Sequence, residues 1–219
     1  MKNIIYYLSI ITLILLNSCS NNIGTNLKFQ PENVLSVGSM KESDFLKLLN
    51  EPPYIKIIEK NNIRSQVYFY YYFSEDMTSK LLEVEFIDSV LNGYIYKTIV
   101  ISSVISSFND SLQKNIKIGS SDMDYVKKLI GFPSSIIRLP SNLIYSIIVP
   151  EYFLYELINP PEKSKEIWLY TYQYHIKEGN IIVSYYRYLF LYFDSNNKVI
   201  SKSYYDNVES DYIRKLLNY

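Results

Sequence analysis

The stretch Gly119-Ser120-Ser121-Asp122-Met123-Asp124-Tyr125-Val126-Lys127-Lys128-Leu129-Ile130-Gly131-Phe132-Pro133 decides how this chain is read. Val126, Leu129 and Ile130 recur at helical spacing, which predicts a short amphipathic helix. Ser121, three residues before Asp124, gives a capping-box start, and Gly131 and Pro133 stop the helix. The same sentence stands earlier in the chain. Gly38-Ser39 leads through Phe45, Leu48 and Leu49 to Pro52 at the same Gly-to-Pro interval, with Ser39 three residues before Glu42.

Runs of period two follow each helix. In the first copy Val67, Phe69, Tyr71 and Phe73 alternate with Tyr68, Tyr70 and Tyr72, and Leu82, Val84 and Phe86 alternate with Leu81, Glu83 and Glu85. In the second, Trp168, Tyr170, Tyr172 and Tyr174 alternate with Leu169, Thr171, Gln173 and His175, and a long strand runs from Ile181 to Phe193. Such alternation predicts strands, and Asn92-Gly93, Glu178-Gly179-Asn180 and Asp194-Ser195-Asn196-Asn197 supply turns. A last strand is expected from Val199 to Tyr205, and a C-terminal helix over 207–219.

The expected fold class is therefore α+β: two tandem αβββ repeats with antiparallel sheets packed against helices. Repeat 1 covers 37–105 and repeat 2 covers 116–206. The second copy carries an apolar insertion at 134–167, since the interval from Pro133 to Trp168 is roughly twice that from Pro52 to Tyr68.

The start of the chain carries an address. Lys2 precedes an apolar run from Ile4 to Leu16, too short for a spanning helix, which needs ~20 residues. Leu16-Asn17-Ser18-Cys19 then resembles the lipobox of bacterial lipoproteins. The resemblance implies removal of signal peptide 1–18, lipidation of Cys19 and an envelope location, the outer membrane rather than the inner because Ser20 follows the cysteine. Cys19 is the only cysteine, so no thiol is left for a disulfide, a metal or a nucleophile. Residues 19–36 read as the lipidated cysteine and a tether of root-mean-square span ~20–25 Å.

The repeat pattern resembles the SmpA/OmlA type of small outer-membrane lipoprotein, a component of the β-barrel assembly machinery, and the related tandem fold of the β-lactamase inhibitor protein. The matching residues are Ile118-Gly119 through Gly131-Phe132-Pro133, Trp168-Leu169-Tyr170 and Leu191-Tyr192-Phe193-Asp194 before Val199. The first copy matches through Val37-Gly38, Leu48-Leu49 with Pro52, and the aromatic strand from Tyr68. It departs at Asn50, where the second copy has Gly131, and at Phe86-Ile87-Asp88.

Composition excludes more than it proposes. Of the 22 Lys+Arg only Lys2 lies in the leader, so the mature chain stays near balance with its 22 Asp+Glu. No basic excess points to nucleic acid. His175 is the only histidine and has no companion for a metal site. No nucleophile elbow, phosphate loop or H-E-x-x-H occurs, so no catalytic residue, metal or cofactor is expected, and the reading is non-enzymatic. The 24 tyrosines partly reflect a composition without alanine, yet their strand positions suggest a binding face. The expected partner-binding residues are Tyr68, Tyr70, Tyr72, Tyr186 and Tyr188. The expected function is a membrane-anchored envelope lipoprotein acting as a protein–protein interaction module, in outer-membrane assembly or maintenance as the resemblance implies. The alternative is a ligand-binding lipoprotein whose apolar pocket is closed by the 134–167 insertion.

Overall fold

A computed structural model describes residues 23–24, 27, 29–49, 54–60, 62–73, 78–100, 110–140, 160–178 and 181–209. The leader, Cys19, residues 141–159 of the insertion and 210–219 lie outside the described residues. In chain order the elements are β1 (Ile23–Gly24), α1 (Pro31–Val34), α2 (Glu42–Leu48), β2 (Tyr54–Lys60), β3 (Ile63–Phe73), β4 (Thr78–Ile87) and β5 (Val90–Val100). Then come α3 (Asp110–Gln113), α4 (Met123–Ile130), β6 (Ser135–Arg138), β7 (Glu166–Glu178), β8 (Ile181–Phe193) and β9 (Val199–Glu209).

All nine strands form one antiparallel sheet running β3-β4-β5-β6-β7-β8-β9, with β2 and β1 both paired along the outer edge of β3. This corrects the expected α+β class of two αβββ units with sheets packed against helices. The architecture is mostly sheet, with few and short helices. The reason lies in β6, which pairs with β5 on one side and β7 on the other. It welds the two meanders and removes two edges that would otherwise be open.

The longest helix among the described residues, α4, has eight residues, so the described helices cover only part of one face. Phe45 of α2 and Val126 and Ile130 of α4 pack there against Tyr68, Tyr70, Leu82, Val84, Phe86, Trp168, Tyr170 and Leu189. The opposite face has its own core of Val67, Ile95, Ile137, Ile167, Leu169, Tyr188, Phe190 and Tyr192. Both faces are thus apolar at their centres, and alternation along each strand chooses between two cores rather than between core and water.

The two Gly-led segments make the same local contacts. Gly38 (φ 80°) donates its N–H to the Leu91 carbonyl at 2.8 Å, and Gly119 (φ 81°) donates to the Val199 carbonyl at 2.7 Å. Lys41 and Asp122 each form a bridge to the first residues after the adjoining hairpin turn, Val90 and Lys198. The left-handed φ explains a glycine at both points.

Several local expectations are corrected. The residues at the helix starts are Lys41, which makes no side-chain cap bond, and Asp122, whose carboxylate accepts the Tyr125 N–H at 2.9 Å. Ser39 Oγ instead donates to the Ser36 carbonyl, and Ser121 Oγ accepts the Lys117 N–H. The β4–β5 turn is Asp88-Ser89, both at positive φ, as a two-residue hairpin turn of the primed type requires. Asn92-Gly93, expected as that turn, lies inside β5 at a register shift between Glu85 and Phe86, so that Glu85 opposes Gly93 and Phe86 opposes Leu91. Strand β9 continues to Glu209, into the span expected as the C-terminal helix.

Candidate functional site

The five expected tyrosines do not form a surface. Tyr68, Tyr70, Tyr72 and Tyr188 are buried, Tyr188 completely. Tyr68 and Tyr70 lie in the core under the helices and Tyr188 in the core of the other face, with half-buried Tyr186 stacked beside it at 5.9 Å. Tyr68 is a structural tie: its hydroxyl donates to the Glu42 carboxylate, and burial together with that carboxylate pushes it up to about 12. Half-buried tyrosines do gather elsewhere. Tyr172, Tyr174 and Tyr185 stack in series at the far end of β7 and β8, and Arg187 lies over the first two rings while paired with Asp206 at 2.8 Å.

Glu83 and Glu85, which alternate with apolar residues along β4, are fully buried, and Lys97 is buried on that same face. The register sets Glu83 opposite Ile95, one same-face position from Lys97 on β5, and Asn92 Nδ2 donates to Glu85 at 2.8 Å. A buried charge is costly without a partner, and the Asn92 amide is one for Glu85. His175 lies in β7, and its side chain is outside the described ones. Among the described residues no three His, Cys, Asp or Glu side chains gather as a metal site would require, and no helix is long and apolar enough to cross a membrane.

Two features remain accessible. The first is the β2 edge. β2 pairs with β3 along its full length, from Tyr54 opposite Phe69 to Lys60 opposite Ile63, and its other edge has no strand partner among the described residues. Its side chains are unusually apolar for an edge. Tyr54 is 71% exposed, Ile55 52% and Ile57 48%. The opposite end of the sheet is quieter: Ser201, Lys202 and Ser203 occupy β9, and Lys202 Nζ donates to the Gln113 and Ile116 carbonyls.

The second is a cavity of about 430 Å³ on the helix-bearing face. Tyr94, Ile136, Glu166 and Trp168 line it together with Leu35 and Glu32 of the N-terminal segment, the start of α4 and the Asn196-Asn197-Lys198 turn. Glu166 is held from two sides, by the Trp168 indole N–H and by the Arg138 guanidinium across β6 and β7. Burial, reinforced by the Glu166 and Glu32 carboxylates and opposed by Arg138, drives the Tyr94 hydroxyl well above the usual tyrosine range, so it stays a donor. Lys127 sits over the Trp168 ring at 5.3 Å. At the rim Asp122 accepts from Tyr125 N–H and from Lys198 Nζ at 3.0 Å, which holds its carboxyl below the usual range.

The sequence reading singled out neither feature. Three cavity residues, Ile136, Arg138 and Glu166, come from the insertion, whose residues 141–159 lie outside the described ones, and the lining mixes charged with apolar side chains. Among the described residues, the fold and these sites define a sheet protein with an unpaired apolar edge and a small polar cavity. Set against protein-family models, curated proteins and solved structures, the chain matches none.

Proposed function

We propose that this chain is an envelope contact module, tethered through lipid on Cys19, whose β2 edge takes an extended segment of another envelope protein as an added strand. The observation that carries the reading is the combination in β2 of an outer edge without a strand partner among the described residues and exposed Tyr54, Ile55 and Ile57. Exposed apolar edges are aggregation hazards that proteins ordinarily blunt. Retaining one is consistent with use, because strand addition takes affinity from main-chain bonds and specificity from alternate side chains. The tether and location rest on the lipobox resemblance of Leu16-Asn17-Ser18-Cys19.

A second copy of this chain is a poor occupant. A twofold axis at Ile57 would set Ile55 against Glu59 and Lys56 against Ile58 of the copy. Shifting the axis by one residue in either direction sets Lys56 against itself or against Lys60. Apposed like charges destabilise a strand pair, which favours a partner presenting apolar residues opposite Ile55 and Ile57.

A photoreactive amino acid at position 56 in cells tests this, with position 128 on α4 as the control. The expected result is one discrete heterologous envelope adduct from position 56 alone, abolished by Ile57→Pro. Adducts of equal yield from both positions, or only an adduct between copies, would overturn the reading.

A further inference from the structure

The cavity holds more charge than its internal pairs use. Arg138 is paired with Glu166, and Lys198 with Asp122. Setting these aside leaves the Lys127 ammonium, whose neighbours are the faces of Trp168 and Phe132. It also leaves the Glu32 and Asp124 carboxylates, which have no hydrogen bond or ion pair among the described residues. Arg138 contacts Glu166 through one nitrogen and carries further N–H donors, and the Tyr94 hydroxyl lines the same space. Leu35, Met123, Ile136 and Trp168 add apolar wall. A volume of about 430 Å³ falls in the range of small-molecule sites, ~300–1,000 Å³.

We propose that this cavity binds an amino-acid-type zwitterion with an apolar side chain, its carboxylate taken by Lys127 and Arg138 and its ammonium by Glu32. Among the described residues, the Lys127 ammonium and the Glu32 and Asp124 carboxylates of this cavity have no ion pair, and with the apolar wall they suit a ligand carrying one charge of each sign on an apolar body. A simple anion would meet Glu32 and Asp124, and a simple cation would meet Lys127 and Arg138. A neutral apolar ligand would strip water from all of them without return. The same chemistry comes from a free amino acid or from a dipeptide. The site is separate from β2 and does not depend on what docks there.

Calorimetric titration of the full chain in detergent with L-leucine and with leucyl-leucine tests the assignment and distinguishes the two sources. N-acetyl-leucine and leucine methyl ester each remove one charge. At least one zwitterion is expected to bind, with both blocked derivatives about tenfold or more weaker, because each loses a charge-assisted hydrogen bond. Glu32→Gln and Lys127→Met are expected to weaken the zwitterion by a similar factor in proteins that still unfold cooperatively, Lys127→Met at a slightly lower melting temperature for want of its contacts with Trp168 and Phe132. Blocked and free forms binding equally, unchanged binding in both variants, or no heat from either zwitterion at about 10 mM would overturn the proposal.

Discussion

The Trp168 indole N–H donates to the Glu166 carboxylate, two residues away on the same face of β7, and so fixes a buried negative charge at the base of the cavity. The fixed charge is tolerated because Arg138, opposite in the β6–β7 register, supplies the counter-charge.

Removing that cation by Arg138→Met leaves Glu166 buried without its partner. The expected loss is about 2–3 kcal/mol in urea unfolding. This is less than the ~3–5 kcal/mol of a fully buried pair, because the Arg138 side chain is 36% exposed. Arg138→Met with Glu166→Leu removes both charges and is expected to recover much of the loss, an outcome that a purely steric role for Arg138 would not give.

The Asp122 carboxyl is lowered from its ordinary 3.8, first by the Tyr125 N–H and then by Lys198. A depressed folded-state value means that stability is present above the unfolded value and is lost as pH falls through the folded one. Asp122→Asn keeps an acceptor at the helix start and removes this charge-dependent part. Acid unfolding curves below pH ~4 are therefore expected to converge for the two proteins, while the wild type is the more stable near neutrality. A constant gap at all pH values would contradict this.

Tyr68 gives the opposite sign. Its folded-state value, raised from 10.0 to about 12, stabilises the fold below the unfolded value, and the contribution is lost as pH rises from 10 toward 12. Tyr68→Phe is expected to cost about 1 kcal/mol at neutral pH through the lost bond to Glu42 and to lose less stability between pH 10 and 12 than the wild type. Parallel alkaline curves would mean that the hydroxyl ionises as freely as in the unfolded chain.

Three glycines separate backbone strain from collision. An added Cβ at Gly38 or Gly119 meets nothing within 4 Å, so Gly38→Ala and Gly119→Ala pay only for the left-handed φ, about 1–2 kcal/mol each. At Gly24 the added Cβ would sit 1.9 Å from the Tyr71 carbonyl oxygen. Gly24→Ala is therefore expected to detach β1 from β3, visible as faster amide exchange at whichever of Tyr72 and Phe73 turns its N–H toward β1, with little change in global unfolding.

How much of this was legible depends on whether the signal was local. β8 has the bounds read from Ile181 to Phe193 because turn residues bracket an uninterrupted run. The helix through Val126 and Ile130 was equally plain from its spacing. β2 was missed because Tyr54-Ile55-Lys56-Ile57-Ile58-Glu59-Lys60 breaks strict alternation at Ile57-Ile58 and follows two prolines. Asn92-Gly93 carried the stronger turn composition, yet Asp88-Ser89 made the turn and the glycine went to a bulge.

The tyrosines failed for a different reason. Alternation separates Tyr68 from Phe69 and Tyr188 from Leu189, but cannot say whether either face meets water, and here both faces carry a core. The cavity was beyond a local reading altogether. It needs Glu32, Tyr94, Glu166 and Lys198 from four distant segments, brought together only once β6 has joined the two meanders.

Docking at β2 is decided by amide hydrogen exchange over Tyr54–Lys60, compared between the protein in envelope vesicles and the same protein purified in detergent. Slow exchange is expected along the outer edge of β2 in vesicles and fast exchange in detergent, with β9 unchanged between the two. Equal exchange at β2 in both preparations would contradict the docking of a partner strand on that edge.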